Sequence, residues 1–333
     1  MSHRRHILLL SLGLALCGWS APASGQGASG PAVLYTSNST DVVQTALDAI
    51  ARQLPDIKVA QVTGGTGVLM KRIEAEAAQP GGDVFWSGGF GTLGAYTRYF
   101  DAYASPQASH IPAALHGPQG LWIGTNVHVM AIMANADRVG ADPLPKTWTD
   151  LFDPRWRGRV AMTDPNNSSF TYIVVYGLMK KYGLAGLKRL AANLVITDTT
   201  GQTNKGVSDG EYALGITSEA AAYEYIAAEQ PGISLIYPKD GAILSPEGVV
   251  LIKGARHPEA ARRLYDAFLS KDLQESVLKA TYRRPSRTDI KVSDFVKLPE
   301  LSDIALLNLD QDAAARERND VLAAWKLATA SKP

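Results

Sequence analysis

From Ala32 onward, short apolar runs alternate with segments whose apolar residues recur at helical spacing. That is the pattern of βα units feeding a largely parallel sheet, so the fold class is α/β. The first unit reads as a strand from Ala32 to Tyr35, the polar turn Thr36-Ser37-Asn38-Ser39-Thr40, and a helix from about Asp41 to Arg52. Lys58 to Val62 predicts a second strand, feeding a helix from about Thr66, and Asp83 to Trp86 a third, ending at Ser87-Gly88-Gly89. After an apolar run from Leu121 to Met133 the plan repeats: strand Val160-Ala161-Met162, polar opening Asp164 to Ser169, and a helix to about Tyr182. Tyr212 to Ile216 then predicts a strand ending at Thr217-Ser218-Glu219, Ile233 to Tyr237 and Gly248 to Ile252 two more, and Pro258 to Ser270 an amphipathic helix. The charged tail from Asp310 to Arg318 reads as a solvated helix without functional implication.

The strand-to-helix junctions carry glycines, hydroxyls and amides, where open α/β sheets place their ligands. In Thr63-Gly64-Gly65-Thr66-Gly67 the helix start leaves backbone N–H groups without intrahelical partners, an arrangement that favours an anion. Ser87-Gly88-Gly89 lets backbone approach a ligand closely. Each junction also has a purely local reading. Gly64 to Gly67 makes a tight turn, and Ser168 makes an ordinary helix cap; capping and ligand binding are compatible because a helix start has several free donors.

Composition and charge narrow the class. Arg4 and Arg5 precede the apolar run Ile7 to Leu16, and Ala23 or Gly25 ends small-residue cleavage sites, the pattern of a secretory signal over residues 1–25. The run is shorter than the ~20 residues that span a bilayer, so an exported, periplasmic protein is expected. Cleavage after Gly25 leaves 333 − 25 = 308 residues and removes two arginines, giving 31 Lys+Arg against 32 Asp+Glu, a formal charge of −1. Nothing there suggests nucleic acid as a partner. Cys17 is the sole cysteine; Leu16 stands where a lipoprotein signal wants a small residue, so no lipid anchor and no disulfide are expected. His110, His116, His128 and His257 show no metal-ligand spacing, and no serine sits in a Gly-x-Ser-x-Gly elbow. No catalytic residue, metal or cofactor is assigned.

Several pieces, in order along the chain, carry a resemblance: Gly64-Gly65-Thr66-Gly67 with Arg72-Ile73-Glu74-Ala75-Glu76; Pro80-Gly81-Gly82-Asp83-Val84; Trp148-Thr149-Asp150-Leu151 with Asp153-Pro154; Lys253-Gly254-Ala255; and Pro285-Ser286-Arg287-Thr288-Asp289. They resemble the periplasmic solute-binding proteins of bacterial ABC importers, in the group of ferric-ion-binding proteins, and are most similar to members that bind 2-aminoethylphosphonate or hexose phosphates. The resemblance implies a type II, two-lobed fold, each lobe a mostly parallel sheet flanked by helices. The first lobe would be residues 26–124 with 246–333 and the second 125–245, closing like a hinge on one small anionic solute. It also implies a monomer that serves an inner-membrane ABC permease. Ser37, Asn38, Gly65, Thr66, Gly67 and Ser87 would face the ligand from the first lobe; Asn167, Ser168, Ser169, Thr203, Ser218, Glu219 and Tyr223 would complete the cage. One departure bears on the ligand. Ferric members place two adjacent tyrosines shortly after a strand like Ala213 to Ile216, whereas here Ala220-Ala221-Ala222-Tyr223-Glu224-Tyr225 follows. Tyr223 and Tyr225, two apart on a helix, point to different faces. The alternatives are a ferric-ion receptor using other donors and a secreted α/β hydrolase.

Overall fold

A computed structural model describes residues 30–330; the expected signal segment, with Cys17, lies outside the described residues. The chain opens with β1 (Ala32–Thr36), α1 (Thr40–Gln53), β2 (Val59–Thr63), α2 (Thr66–Ala75), β3 (Val84–Gly89), α3 (Phe90–Leu93), β4 (Phe100–Asp101) and the long β5 (Ile123–Asn135). A second series follows: α4 (Ala136–Val139), β6 (Val160–Thr163), α5 (Ser169–Ala191), β7 (Leu194–Thr197), α6 (Thr200–Ser208), β8 (Leu214–Ser218), α7 (Glu219–Ala227) and β9 (Ile233–Ile236). The return comprises β10 (Ala242–Ile252), α8 (Pro258–Phe268), α9 (Lys271–Thr281), β11 (Arg284–Pro285), β12 (Leu306–Leu307), α10 (Gln311–Arg316) and α11 (Arg318–Ala330).

The main path through the sheet is β2-β1-β3-β10-β5-β8-β6-β7. Pairing is parallel within each outer set, β2-β1-β3 and β8-β6-β7. It turns antiparallel where β5 and β10 join the sets. These two strands are long because they serve both halves: the end of β10 pairs with β3, while the end of β5 pairs with β8 and β9. Every residue of β5 is buried, as a strand covered on both faces requires. The register shifts between Glu247 and Gly248, and the irregularity bends β10 midway between the halves. The strand expected at Gly248 therefore begins six residues earlier, at Ala242.

Each half has its own core. Around β1 and β3 pack Leu34, Val84 and Trp86 with Val43 of α1 and Phe268 of α8, whose ring stacks on Trp86 at 4.5 Å. Around β6 and β8 pack Val160, Met162, Leu214 and Ile216 with Val174 of α5 and the buried Trp148 and Trp156. Gly183, at φ 68°, breaks α5 one residue beyond the Tyr182 end that the sequence predicts.

The tail corrects the solvated reading. Ala314 and Ala315 of α10 are buried against α3 and its neighbourhood, where Gly91 and Gly94 leave room for their methyl groups. A Cβ at Gly94 would lie 2.5 Å from that of Ala315. Val321 and Trp325 of α11 join the core of the second half, so this helix, expected with the first lobe, lies against α5.

Candidate functional site

The ends of β1, β3 and β8, the starts of α2, α5 and α7, and the middles of β5 and β10 converge where the halves meet. Three hydroxyls come together on one side: Ser37 Oγ lies 2.8 Å from Thr66 Oγ1 and 2.6 Å from Ser87 Oγ, which also accepts the Ser37 N–H at 2.9 Å. Three hydroxyl hydrogens face only two internal contacts, so at least one hydrogen remains to donate elsewhere. Ser87 is held at φ 118°, on the side of the map that L-residues rarely occupy, and Gly88 follows at φ 86°. Strain of this kind persists only where the surroundings enforce it, and it gathers at ligand clamps.

Beside the triad sits a charge cluster. Asn38 Oδ1 accepts from the Arg283 guanidinium, which lies 3.6 Å from Glu247 Oε2. The same carboxylate oxygen accepts from Asn126 Nδ2 at 3.0 Å and meets His128 Nε2 at 2.9 Å. Burial alone would raise the Glu247 pKa, but His128, Arg283 and Asn126 overcome it and hold the carboxyl below its ordinary range. Burial drives His128 the other way, lowering its pKa despite Glu247, so the ring is neutral. Three buried polar atoms of this cluster have no hydrogen-bond partner in the protein: Asn38 Nδ2, His128 Nδ1 and, opposite His128 in the ladder, Ser245 Oγ. Buried polar groups are ordinarily satisfied, so such a gathering suits a ligand.

The glycines act differently from the sequence reading. A Cβ on Gly67 would stand 2.0 Å from the Asn166 carbonyl oxygen, and one on Gly65 2.8 Å from that of Asn167. These positions touch backbone of the opposite half, so the halves are in contact here and only glycine permits it. Ser168 caps α5 by accepting the Thr171 N–H at 3.4 Å, and Ser169 packs beside Gly89. Ser218 caps α7 through the Ala221 N–H at 3.4 Å.

Three expected ligand residues are otherwise engaged. Thr203 Oγ1 is fully buried between Thr197 Oγ1 at 2.6 Å and Thr163 Oγ1 at 3.0 Å, while Thr197 donates on to the Thr199 carbonyl. Three hydrogens meet three acceptors, leaving none for a ligand. Glu219 is taken by Arg284, at 2.6 and 2.8 Å, and by the Tyr237 hydroxyl, so it is not a free carboxylate. Tyr223 packs edge-on against Tyr282 at 4.9 Å, whereas Tyr225 joins a different apolar cluster. The two phenols therefore diverge, as helical spacing requires. Sequence reasoning missed Asn126, His128, Ser245, Glu247 and Arg283. No local signal marks them, because His128 and Glu247 are 119 residues apart and Asn38 and Arg283 are 245 apart.

Among the described residues no group of three or more His, Cys, Asp or Glu side chains could hold a metal ion, and no helix is long and apolar enough to cross a membrane. A family model described as bacterial extracellular solute-binding protein matches residues 78–317. A putative 2-aminoethylphosphonate-binding periplasmic protein of Salmonella typhimurium is 24% identical over 253 residues, 72% of each chain. Among solved structures, the periplasmic binding protein AfuA from Actinobacillus pleuropneumoniae, with fructose-6-phosphate bound, superposes with a TM-score of 0.83 at 22% identity, covering 91% of this chain and all of that one. Iron-bound HitA from Pseudomonas aeruginosa gives 0.79 at 21% identity, covering 90% and 99%. The chain shares their two-lobed architecture, the type II periplasmic-binding fold.

Proposed function

The chain belongs to the bacterial extracellular solute-binding proteins, and from that premise we propose that it traps a small anionic solute between its lobes for an inner-membrane ABC permease. Its relatives are binding proteins, and the reading assigns no catalytic step. The solute class we favour is a phosphonate such as 2-aminoethylphosphonate, or a sugar phosphate. One observation carries this choice: the unsaturated Ser37-Thr66-Ser87 triad stands beside Asn38, whose free Nδ2 and bound Arg283 add donors and positive charge. Hydroxyl, amide and guanidinium donors suit phosphoryl oxygens. A hard ferric ion instead wants anionic oxygens, and Tyr223 and Tyr225 diverge here.

In this reading the described part of the first lobe holds residues 30–124 and those from 246 through α10, with β5 and β10 as the hinge, and α11 rides on the second lobe. Ser37, Asn38, Thr66 and Ser87 bind the anion. Gly65 meets Asn167 and Gly67 meets Asn166 on closure, and the starts of α5 and α7 wall the far side. The test is calorimetric titration of the purified protein with 2-aminoethylphosphonate, a hexose 6-phosphate and ferric citrate. Saturable binding of a phosphorus compound is expected; ferric binding with no response to either phosphorus compound would overturn the assignment.

A further inference from the structure

His128 is the one ring in the cleft cluster whose second nitrogen has nothing to bind. Its Nε2 meets two groups, the Glu247 carboxylate at 2.9 Å and the Asn126 amide nitrogen at 2.7 Å. The carboxylate decides the tautomer. With Arg283 at 3.6 Å and an Asn126 N–H at 3.0 Å it is ionised, and a ring hydrogen facing that charged oxygen at 2.9 Å forms a charge-assisted bond that outweighs the competing neutral amide N–H at 2.7 Å. Nε2 therefore carries the proton. In a neutral imidazole the other nitrogen is then an acceptor, and Nδ1 is buried and unpartnered.

The surroundings keep it so. The charged groups that act on the ring are Glu247, Arg283 and Glu219, and Glu219 is already neutralised by Arg284. The Phe170 ring, from the first turn of α5, covers the imidazole at 4.3 Å, and burial disfavours an imidazolium. Ser245, opposite His128 in the ladder, leaves its own Oγ unpartnered beside it. Two functions thus flank one carboxylate: the cationic Arg283 with the Asn38 amide on one side, and a bare acceptor on the other.

We propose that His128 Nδ1 accepts a hydrogen bond from a hydroxyl or ammonium group of the ligand, so that the site selects anions bearing a donor a few ångströms from the phosphoryl group. This rests on the reading of the cleft as an anion site and narrows its substrate class. A simple alkyl phosphonate dianion or alkyl phosphate would satisfy the donors around Arg283 and leave Nδ1 empty. Sites that hold a buried acceptor for a ligand donor reject analogues lacking it.

Matched pairs test the proposal: 2-aminoethylphosphonate against ethylphosphonate, and glucose 6-phosphate against n-hexyl phosphate, titrated calorimetrically into the wild type and His128→Phe. The wild type is expected to favour the donor-bearing member of the pair it binds by about tenfold or more. His128→Phe should bring that ratio close to one, because it weakens the donor-bearing compound more than its partner. Should the variant fail to fold, ¹⁵N histidine spectra of the wild type replace it: the Nδ1 resonance should move with the donor-bearing compound and not with its partner. Equal binding of both members, a ratio that survives the substitution, or an unmoved resonance overturns the role of His128 and leaves the anion-site reading standing. If no phosphorus compound binds the wild type, that reading falls and the proposal with it.

Discussion

Arg283 and Arg284 are adjacent in sequence and meet two different buried carboxylates. Arg284 grips Glu219 with two N–H groups, places a third on the Pro299 carbonyl at 2.6 Å, and shares the carboxylate with Tyr237. Arg283 reaches Glu247 only at 3.6 Å and gives one N–H to Asn38. The two hydroxyl triads differ in the same direction: Thr163-Thr197-Thr203 uses every hydrogen internally, while Ser37-Thr66-Ser87 has one over. One region is closed chemically and the other is open. A polar residue at a strand end is thus no marker of a site; what marks one is donor and acceptor capacity that the protein leaves unfilled.

The largest test of that contrast is stability. Arg284→Ala would strand Glu219 in the interior, and breaking a buried pair costs about 3–5 kcal/mol. Urea unfolding should show a loss of that order; a well-folded Arg284→Ala protein that has instead lost only ligand affinity would erase the distinction. Arg283→Ala should do the reverse. It should remove a charge-assisted contact worth about 1.5–3 kcal/mol of ligand affinity, read by titration, while its urea midpoint moves far less than that of Arg284→Ala. Gly67→Ala probes closure alone. Its new methyl would stand 2.0 Å from the Asn166 carbonyl oxygen across the interface, and the next nearest atoms, the Asn166 carbonyl carbon and Asn167 Cα, belong to the same opposing segment. The ligand-free protein should unfold as the wild type does, and affinity should drop about tenfold, ~1.4 kcal/mol. Small-angle scattering should show the variant open with ligand present, and a compact, tight-binding Gly67→Ala would show that the contact is incidental.

Much of the framework is legible in the chain. Apolar alternation from Ala32 and helical spacing from Thr40 mark β1 and α1 because both face one core, and periodicity reports burial on one side. Ser168 and Ser218 announce the starts of α5 and α7 because capping is a bond between near neighbours. The tail misleads for an equally physical reason. Its charges dominate the composition, yet Ala314 and Ala315 do the packing, and small residues leave no strong periodic signal. Trp325 would have been the better guide to its partner.

The sequence by itself determined the order of strands and helices, the glycines and hydroxyls at their junctions, the lack of adjacent tyrosines after β8, and a family-like arrangement of motifs. These are properties of neighbours a few residues apart, where spacing fixes geometry. Tertiary structure alone decided which of those junctions stay chemically open. Glu219 became a structural ion because β11 brings Arg284 to it, and His128 became a bare acceptor because β5 lies against β10 and delivers Glu247 to its other nitrogen. A side chain's hydrogen-bonding capacity is written in its residue type, but how much of it remains unfilled depends on partners more than a hundred residues away.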